Sequence, residues 1–274
     1  MLSLALIRTK LLEYLRRYRS GGIALAFSGG VDSTLLLALL RQLQAEAPFP
    51  WLALTMHSPF QAEEELIAIQ ELAQKWNVPV KILALDPLRL PQVQKNLPDR
   101  CYWCKQHLFI SFWESCRSAG LQTLMDGSNA DDWLTYRPGL RALREQKVIS
   151  PLAELGLNKK TVRALARELG LSCADKPSTP CLATRFEYGT TLTAEMIQQI
   201  QAGESVLRRF CPAGADIRLR RHGDLVRIEV ARDFLSTLAA HHLELSAALK
   251  ELGFKYVTLD LEGFRSGSMD VNLK

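Results

Sequence analysis

Ser28-Gly29-Gly30-Val31-Asp32-Ser33 lies where the apolar run Ile23 to Phe27 gives way to a leucine-rich helical pattern, Thr34 to Leu43. A strand that turns through two glycines into a helix makes a phosphate cradle. Glycine lets the backbone approach a ligand closely, and the amides of the following helix N-terminus point at an anion. Ser28 and Ser33 add hydroxyl donors. Neither Gly-x-x-x-x-Gly-Lys-Ser/Thr nor Gly-x-Gly-x-x-Gly is present, so the Walker and dinucleotide fingerprints are excluded. Asp32 sets a carboxylate among phosphate oxygens, an arrangement that is repulsive unless a divalent cation intervenes. Mg²⁺ is therefore implied, although an acidic residue in the first helical turn also suits the helix dipole.

Outward from the cradle the pattern alternates. Trp51 to Met56 and Val80 to Leu85 read as strands separated by a helical stretch, Ala62 to Lys75; a helix from Lys105 to Ser118, a strand Thr123 to Asp126 and a short strand Val148 to Ser150 follow. Strands alternating with helices imply an α/β fold with a parallel sheet covered on both faces. Ligands of such sheets sit at the C-terminal ends of the strands. That rule places Met56-His57-Ser58 and Gly127-Ser128-Asn129-Ala130-Asp131-Asp132 on the same rim as the cradle. Beyond residue 180 the order becomes helix (Thr193 to Arg209), strands Asp216 to Arg221 and Leu225 to Val230 around His222-Gly223-Asp224, a helix Asp233 to Leu252, and a strand Tyr256 to Leu261. We expect two domains, 1–180 and a smaller α+β domain over 181–274.

The bulk properties are those of an ordinary globular chain of 274 residues, 47% hydrophobic and 23% charged, with a formal net charge of +5. No stretch approaches a membrane span. The N-terminus carries its basic residues after the apolar run and reads as an amphipathic helix rather than a leader, so a cytoplasmic location is expected. The six cysteines are then expected as thiols, metal ligands or catalytic groups rather than a disulfide framework.

Several residues carry candidate chemistry. Asn129 and Asp131 close a strand in an acidic turn suited to metal or ribose hydroxyls, and equally to an ordinary solvated turn. Arg137 before Pro138-Gly139 and Lys176 before Pro177 offer cations for charge developing on phosphates. Cys181 stands on the proline-stiffened stretch Asp175 to Arg185, with Arg185 four residues on as a cation that favours the reactive thiolate. Cys101-Tyr102-Trp103-Cys104 has the spacing of a two-ligand metal clip, but no second pair completes a zinc site. Alternatively Cys101 and Cys104 merely pack, with Trp103 shaping a nucleotide or substrate pocket. The arginines of residues 181–274 are interleaved with acidic residues, which disfavours the dense basic stripe of a nucleic-acid binder.

Ser28 to Ser33 is similar to the PP-loop of the ATP pyrophosphatases, whose fold is that of the adenine nucleotide alpha hydrolase-like proteins. With Arg100-Cys101-Tyr102-Trp103-Cys104-Lys105, Asp126 to Asp132, Tyr136-Arg137-Pro138-Gly139, Lys176 to Arg185 and Ile217-Arg218-Leu219-Arg220, the chain resembles the LarE family of ATP-dependent sulfur transferases. The resemblance implies that ATP and Mg²⁺ bind at Ser28, Gly29, Gly30, Asp32, Ser33, Met56, Gly127, Asn129, Asp131 and Arg137. The substrate it implies is pyridinium-3,5-dicarboxylate mononucleotide. A carboxylate of that nucleotide would be adenylated and then sulfurated for nickel-pincer cofactor synthesis and lactate racemase maturation, with Cys181, Arg185 and Lys176 catalytic. Arg218 and Arg220, with Trp103, would hold the substrate and its phosphate, and Glu204 and Asp233 are carried over as acidic or metal-binding groups. Two routes stay open: Cys181 as sacrificial sulfur donor, or a [4Fe-4S] cluster on Cys101, Cys104 and Cys181. A tRNA-thiolating PP-loop enzyme is the competing reading. Family members assemble into rings, so a homo-oligomer is expected.

Overall fold

The computed structural model describes residues 3–134, 138–177, 179–212, 214–265 and 268–269. In chain order its elements begin α1 (Leu4–Arg16), β1 (Ile23–Ala26), α2 (Val31–Glu46), β2 (Trp51–His57), α3 (Glu63–Trp76), β3 (Val80–Ala84), α4 (Pro91–Gln94), α5 (Arg100–Ser118) and β4 (Thr123–Met125). They continue with α6 (Ala130–Trp133), α7 (Pro138–Glu145), α8 (Pro151–Glu154), α9 (Lys159–Glu168), α10 (Ala194–Arg208), β5 (Ile217–His222), β6 (Leu225–Val230), α11 (Leu235–Ala240), α12 (His242–Glu251) and β7 (Tyr256–Leu259). The chain separates into two compact units. The first holds Met1–Ser58, Glu63–Pro87 and Asp99–Lys176; the second holds Pro177–Lys274 together with Pro59–Ala62 and Leu88–Pro98.

The first unit is built on a parallel sheet in the order β3-β2-β1-β4. Residues alternate across β1. Ile23 and Leu25 join the core made with Leu11 and Leu15 of α1, the leucines of α2, and Val162 and Leu165 of α9. Ala24 faces the opposite core, with Phe109 and Phe112 of α5 and Leu140 and Leu143 of α7. Helices thus cover both faces, as a buried parallel sheet requires. After β1 the chain runs to β2 on one side, while β4 returns on the other. The β1–α2 turn therefore opens at the switch point of the sheet, where such folds take ligands.

Two expectations for this unit differ from the observed elements. Val148 to Ser150 makes only a single parallel bridge, Met125 to Ile149, because Pro151 already starts α8. α5 begins at Arg100, five residues ahead of the expected start, so Cys101 and Trp103 lie in its first turn and Cys104 opens the second. Nothing between Arg100 and Lys105 breaks a helix, and the Trp103 indole N–H ties this turn to Asp99 Oδ2 at 2.8 Å.

The second unit carries the sheet β5-β6-β7. β5 and β6 form an antiparallel hairpin that ends on the pair His222 and Leu225, with Gly223 at φ 59° in the two-residue turn. A positive φ there is what primed hairpin turns demand. β7 runs parallel to β6 after α11 and α12, which replace one expected helix; the break falls at His241, whose ring packs against Phe210. α10 lies on β5 so closely that a Cβ on Gly203 would stand 2.4 Å from Leu219 Cδ2. Among the described residues, no helix is long and apolar enough to cross a membrane.

Candidate active site

The cradle is formed by local geometry. Gly29 has φ 72°, a left-handed conformation that glycine adopts without strain, and Gly30 caps α2 in an extended conformation. The Ser28 hydroxyl and amide meet Ser33 Oγ at 3.2 and 3.3 Å, and Ser33 Oγ lies 3.2 Å from the Gly30 carbonyl. The first amides of a helix have no intrahelical acceptor. Among the described residues, nothing accepts from those of Val31, Asp32 and Ser33. Gly127 keeps this opening clear: a Cβ there would stand 2.9 Å from the Ser33 nitrogen, 3.2 Å from its Cα and 3.3 Å from the Asp32 carbonyl carbon. The donor set and the space both fit an oligophosphate.

The turn after β4 braces this site. Buried Asp126 accepts from the hydroxyls of Ser128 and Ser150. Asn129 and Asp132 make a capping box on α6, and the Asn129 amide group donates to Asp32 Oδ1 at 3.0 Å. Asp131, exposed, accepts the Lys159 backbone N–H at 2.9 Å. The other oxygen of Asp32 pairs with the Lys159 ammonium. Lys159, which pairs with this cradle carboxylate, is a residue that the sequence reading did not single out. Its signal was Asn158, the N-cap of α9, which marks a helix start but not where the lysine reaches.

Other expected residues are placed as follows. Met56 is half-buried near the end of β2. Lys176 is exposed, and its carbonyl accepts from Arg163 at 3.0 Å. Arg137 lies outside the described residues. On α5, Cys101 is exposed, Cys104 half-buried and Trp103 37% exposed. Among the described residues no group of three or more His, Cys, Asp or Glu side chains is arranged to hold a metal ion.

In the second unit, Cys181 is exposed at the head of a short 3₁₀ turn, Leu182–Arg185, and its carbonyl accepts from the Thr184 N–H and hydroxyl at 3.0 and 2.8 Å. That loop is pinned by residues far away in sequence. The Leu182 N–H donates to Phe60, and the buried Asn96 side chain donates to the Phe186 and Glu187 carbonyls at 3.2 and 2.8 Å. Arg185 is 1% exposed and pairs in a fork with Glu204 at 2.8 and 3.2 Å, while its remaining arm donates to the Pro180 carbonyl and Thr184 hydroxyl. Glu204 also accepts the Leu219 N–H at 3.0 Å. Both groups therefore already have partners inside the fold, whereas Asp233 sits exposed on a surface turn.

Arg218 and Arg220 share one face of β5, as their alternation requires. That face is buried. Arg220 pairs with fully buried Glu229 and donates to the Thr184 carbonyl; Arg218 lies over the Phe264 ring at 4.9 Å and 3.5 Å from half-exposed Asp216. Burial lowers the pKa of both guanidinium groups. Both remain charged near neutrality, because arginine starts so high. Poorly hydrated arginines of this kind suit phosphate recognition.

The chain is similar in sequence to several known proteins. A model of the PP-loop domain matches residues 4–134. An uncharacterised protein of Synechocystis is 36% identical over 250 residues, covering 90% of this chain and 91% of that protein. The pyridinium-3,5-bisthiocarboxylic acid mononucleotide synthase of Lactiplantibacillus plantarum is 35% identical over 251 residues, 92% of this chain and 90% of the synthase. An uncharacterised protein of Methanocaldococcus jannaschii is 32% identical over 250 residues, covering 91% and 93%. With the cradle at the switch point and similarity running nearly end to end, the chain belongs to the LarE family of PP-loop proteins.

Proposed function

We propose that the protein is an ATP-dependent sulfur transferase acting on a pyridinium dicarboxylate mononucleotide, with Cys181 as the sulfur donor. The observation that carries the reading is the near full-length similarity to the Lactiplantibacillus synthase, in a chain whose cradle keeps a row of helix amides open. ATP would lie with its phosphates on the amides of Val31 to Ser33 and the hydroxyl of Ser28. Asp32 supplies a carboxylate for Mg²⁺, which commonly takes one or two protein carboxylates plus phosphate oxygens. Bound there, the ion neutralises phosphate charge.

A carboxylate oxygen of the substrate attacks the α-phosphorus, and pyrophosphate leaves. The Cys181 thiolate then attacks the acyl carbon, forming a thioester as AMP departs. Loss of the Cys181 Cα proton and cleavage of its Cβ–S bond leave a thiocarboxylate on the product and dehydroalanine in the protein. Exposure of Cys181 on a loop held by Asn96 and Phe60 suits this use, since the thiol must reach a bound acyl-adenylate without the loop wandering. Arg218 and Arg220 would hold the nucleotide phosphate. The sacrificial route uses Cys181 alone, and Cys101 and Cys104 of α5 enter only in the alternative in which they would hold a cluster together with Cys181.

Intact-protein mass spectrometry before and after turnover with ATP, Mg²⁺ and the dicarboxylate nucleotide tests the proposal. Loss of one H₂S, mapped to Cys181, is expected. Repeated turnover with an unchanged polypeptide mass would refute the sacrificial route; activity that disappears on replacing Cys101 or Cys104 would then favour a cluster.

A further inference from the structure

We propose that Lys159 is an exchangeable counter-ion of the nucleotide site: it neutralises Asp32 in the free protein and moves to the phosphates of ATP when a divalent cation takes over the carboxylate. The inference rests on reading the cradle as an ATP site and adds to it a residue outside the glycine-rich turn. Lys159 opens α9 behind the Asn158 cap, whose Oδ1 accepts from the Thr161 N–H at 2.9 Å. Its backbone N–H donates to Asp131 Oδ2 at 2.9 Å, which fixes the start of α9 against the turn that follows β4. From that anchor the side chain reaches the first turn of α2 and closes on Asp32. Asn129 holds the second Asp32 oxygen at 3.0 Å.

The relative exposure of the two partners matters. Asp32 is 16% exposed and Lys159 34%. A part-exposed single pair contributes little to stability, so stability alone is a weak reason to set a lysine on this carboxylate. A carboxylate at the mouth of a phosphate cradle, however, repels the very ligand the open amides attract. Lys159 removes that repulsion while the site holds no metal. Its ammonium is a compact charge with three donors on a flexible stem, so it can leave Asp32 for a phosphate oxygen a short distance away. Asn129 keeps its hold on Asp32 through the exchange, so the carboxylate stays aimed while its cation changes.

Equilibrium dialysis with ATP, in Mg²⁺ and in EDTA, tests the exchange without requiring sulfur transfer. Lys159→Met should bind ATP about tenfold more weakly in Mg²⁺, the size of one lost charge-assisted hydrogen bond. In EDTA its loss should be larger, because Asp32 then faces the phosphates uncompensated. Adding Asp32→Asn to Lys159→Met should restore binding in EDTA, and Lys159→Arg should stay within a few-fold of wild type in both conditions. A merely structural pair would lower the melting temperature of Lys159→Met and leave its affinity for ATP unaltered; that result overturns the proposal. Wild-type protein that binds no ATP would overturn the proposed function as well, whereas wild-type binding matched by Lys159→Met overturns only the exchange.

Discussion

Removing the carboxylate of Glu204 should unlock the second unit. Glu204 and Arg185 are 3% and 1% exposed, joined by two hydrogen bonds at 2.8 and 3.2 Å, and Glu204 accepts the Leu219 N–H besides. Glu204→Ala leaves a buried guanidinium without its counter-charge and a buried amide without its acceptor. Breaking a buried pair from one side costs about 3–5 kcal/mol, and the orphaned Leu219 amide places the loss in the upper part of that range. Glu204→Gln keeps one oxygen for Arg185 Nε and the Leu219 N–H but gives up the charge and the second acceptor, setting its NH2 group against the other guanidinium nitrogen, so a loss of about 2–3 kcal/mol is expected. Native-state hydrogen exchange reads the effect where it arises. Amides of α10 and β5, Leu219 above all, should open about a thousandfold more often in Glu204→Ala, while those of β1 and α2 keep their protection. Protection of Leu219 within a few-fold of wild type in Glu204→Ala would refute the assignment of this pair as the lock of α10 on β5.

Two further outcomes follow from the first unit. In Gly127→Ala the new Cβ meets backbone atoms of Asp32 and Ser33 at 2.9 to 3.3 Å, which have no flexible end to yield; about 1–3 kcal/mol of stability is lost and ATP binding weakens as the first turn of α2 shifts. Unaltered affinity by equilibrium dialysis would show that the cradle tolerates the shift. For the cysteines, burial raises the pKa of Cys116 from 9.0 to about 11 and leaves it 0% exposed, whereas Cys101 and Cys181 are exposed. The thiolate is the nucleophile, so brief iodoacetamide treatment at pH 8 should modify Cys101 and Cys181 and spare Cys116, as peptide mapping would report. The same shift sets the sign with pH. The unfolded thiol ionises first, so from about pH 9 towards 11 the folded state holds more protons than the unfolded one and stability falls as pH rises. A Cys116→Ser variant should lose that part of the alkaline decline.

What the sequence disclosed was local. Strand, glycine turn and helix are contiguous at Ser28 to Ser33, so the cradle could be read from six residues and one change of periodicity. The β5–β6 hairpin was legible but its register was not: the sequence put His222, Gly223 and Asp224 in the connection, whereas His222 pairs with Leu225 and the two-residue turn sets Arg218 opposite Glu229. Which arginine takes that carboxylate was not legible either, because Arg220 reaches it diagonally from the neighbouring pair, and only packing decides between them. Arg185 shows the same limit in a sharper form. Four residues from Cys181, it reads as a cation for the thiol, yet its guanidinium is paired with Glu204 nineteen positions on. A charge near a reactive residue in sequence says nothing of which partner desolvation forces upon it. Lys159 makes the converse case: it is 127 residues from Asp32 and reaches it because α9 starts beside the turn that Asp131 and Asn129 build. The cradle is a property of a segment, and its counter-ion is a property of the fold.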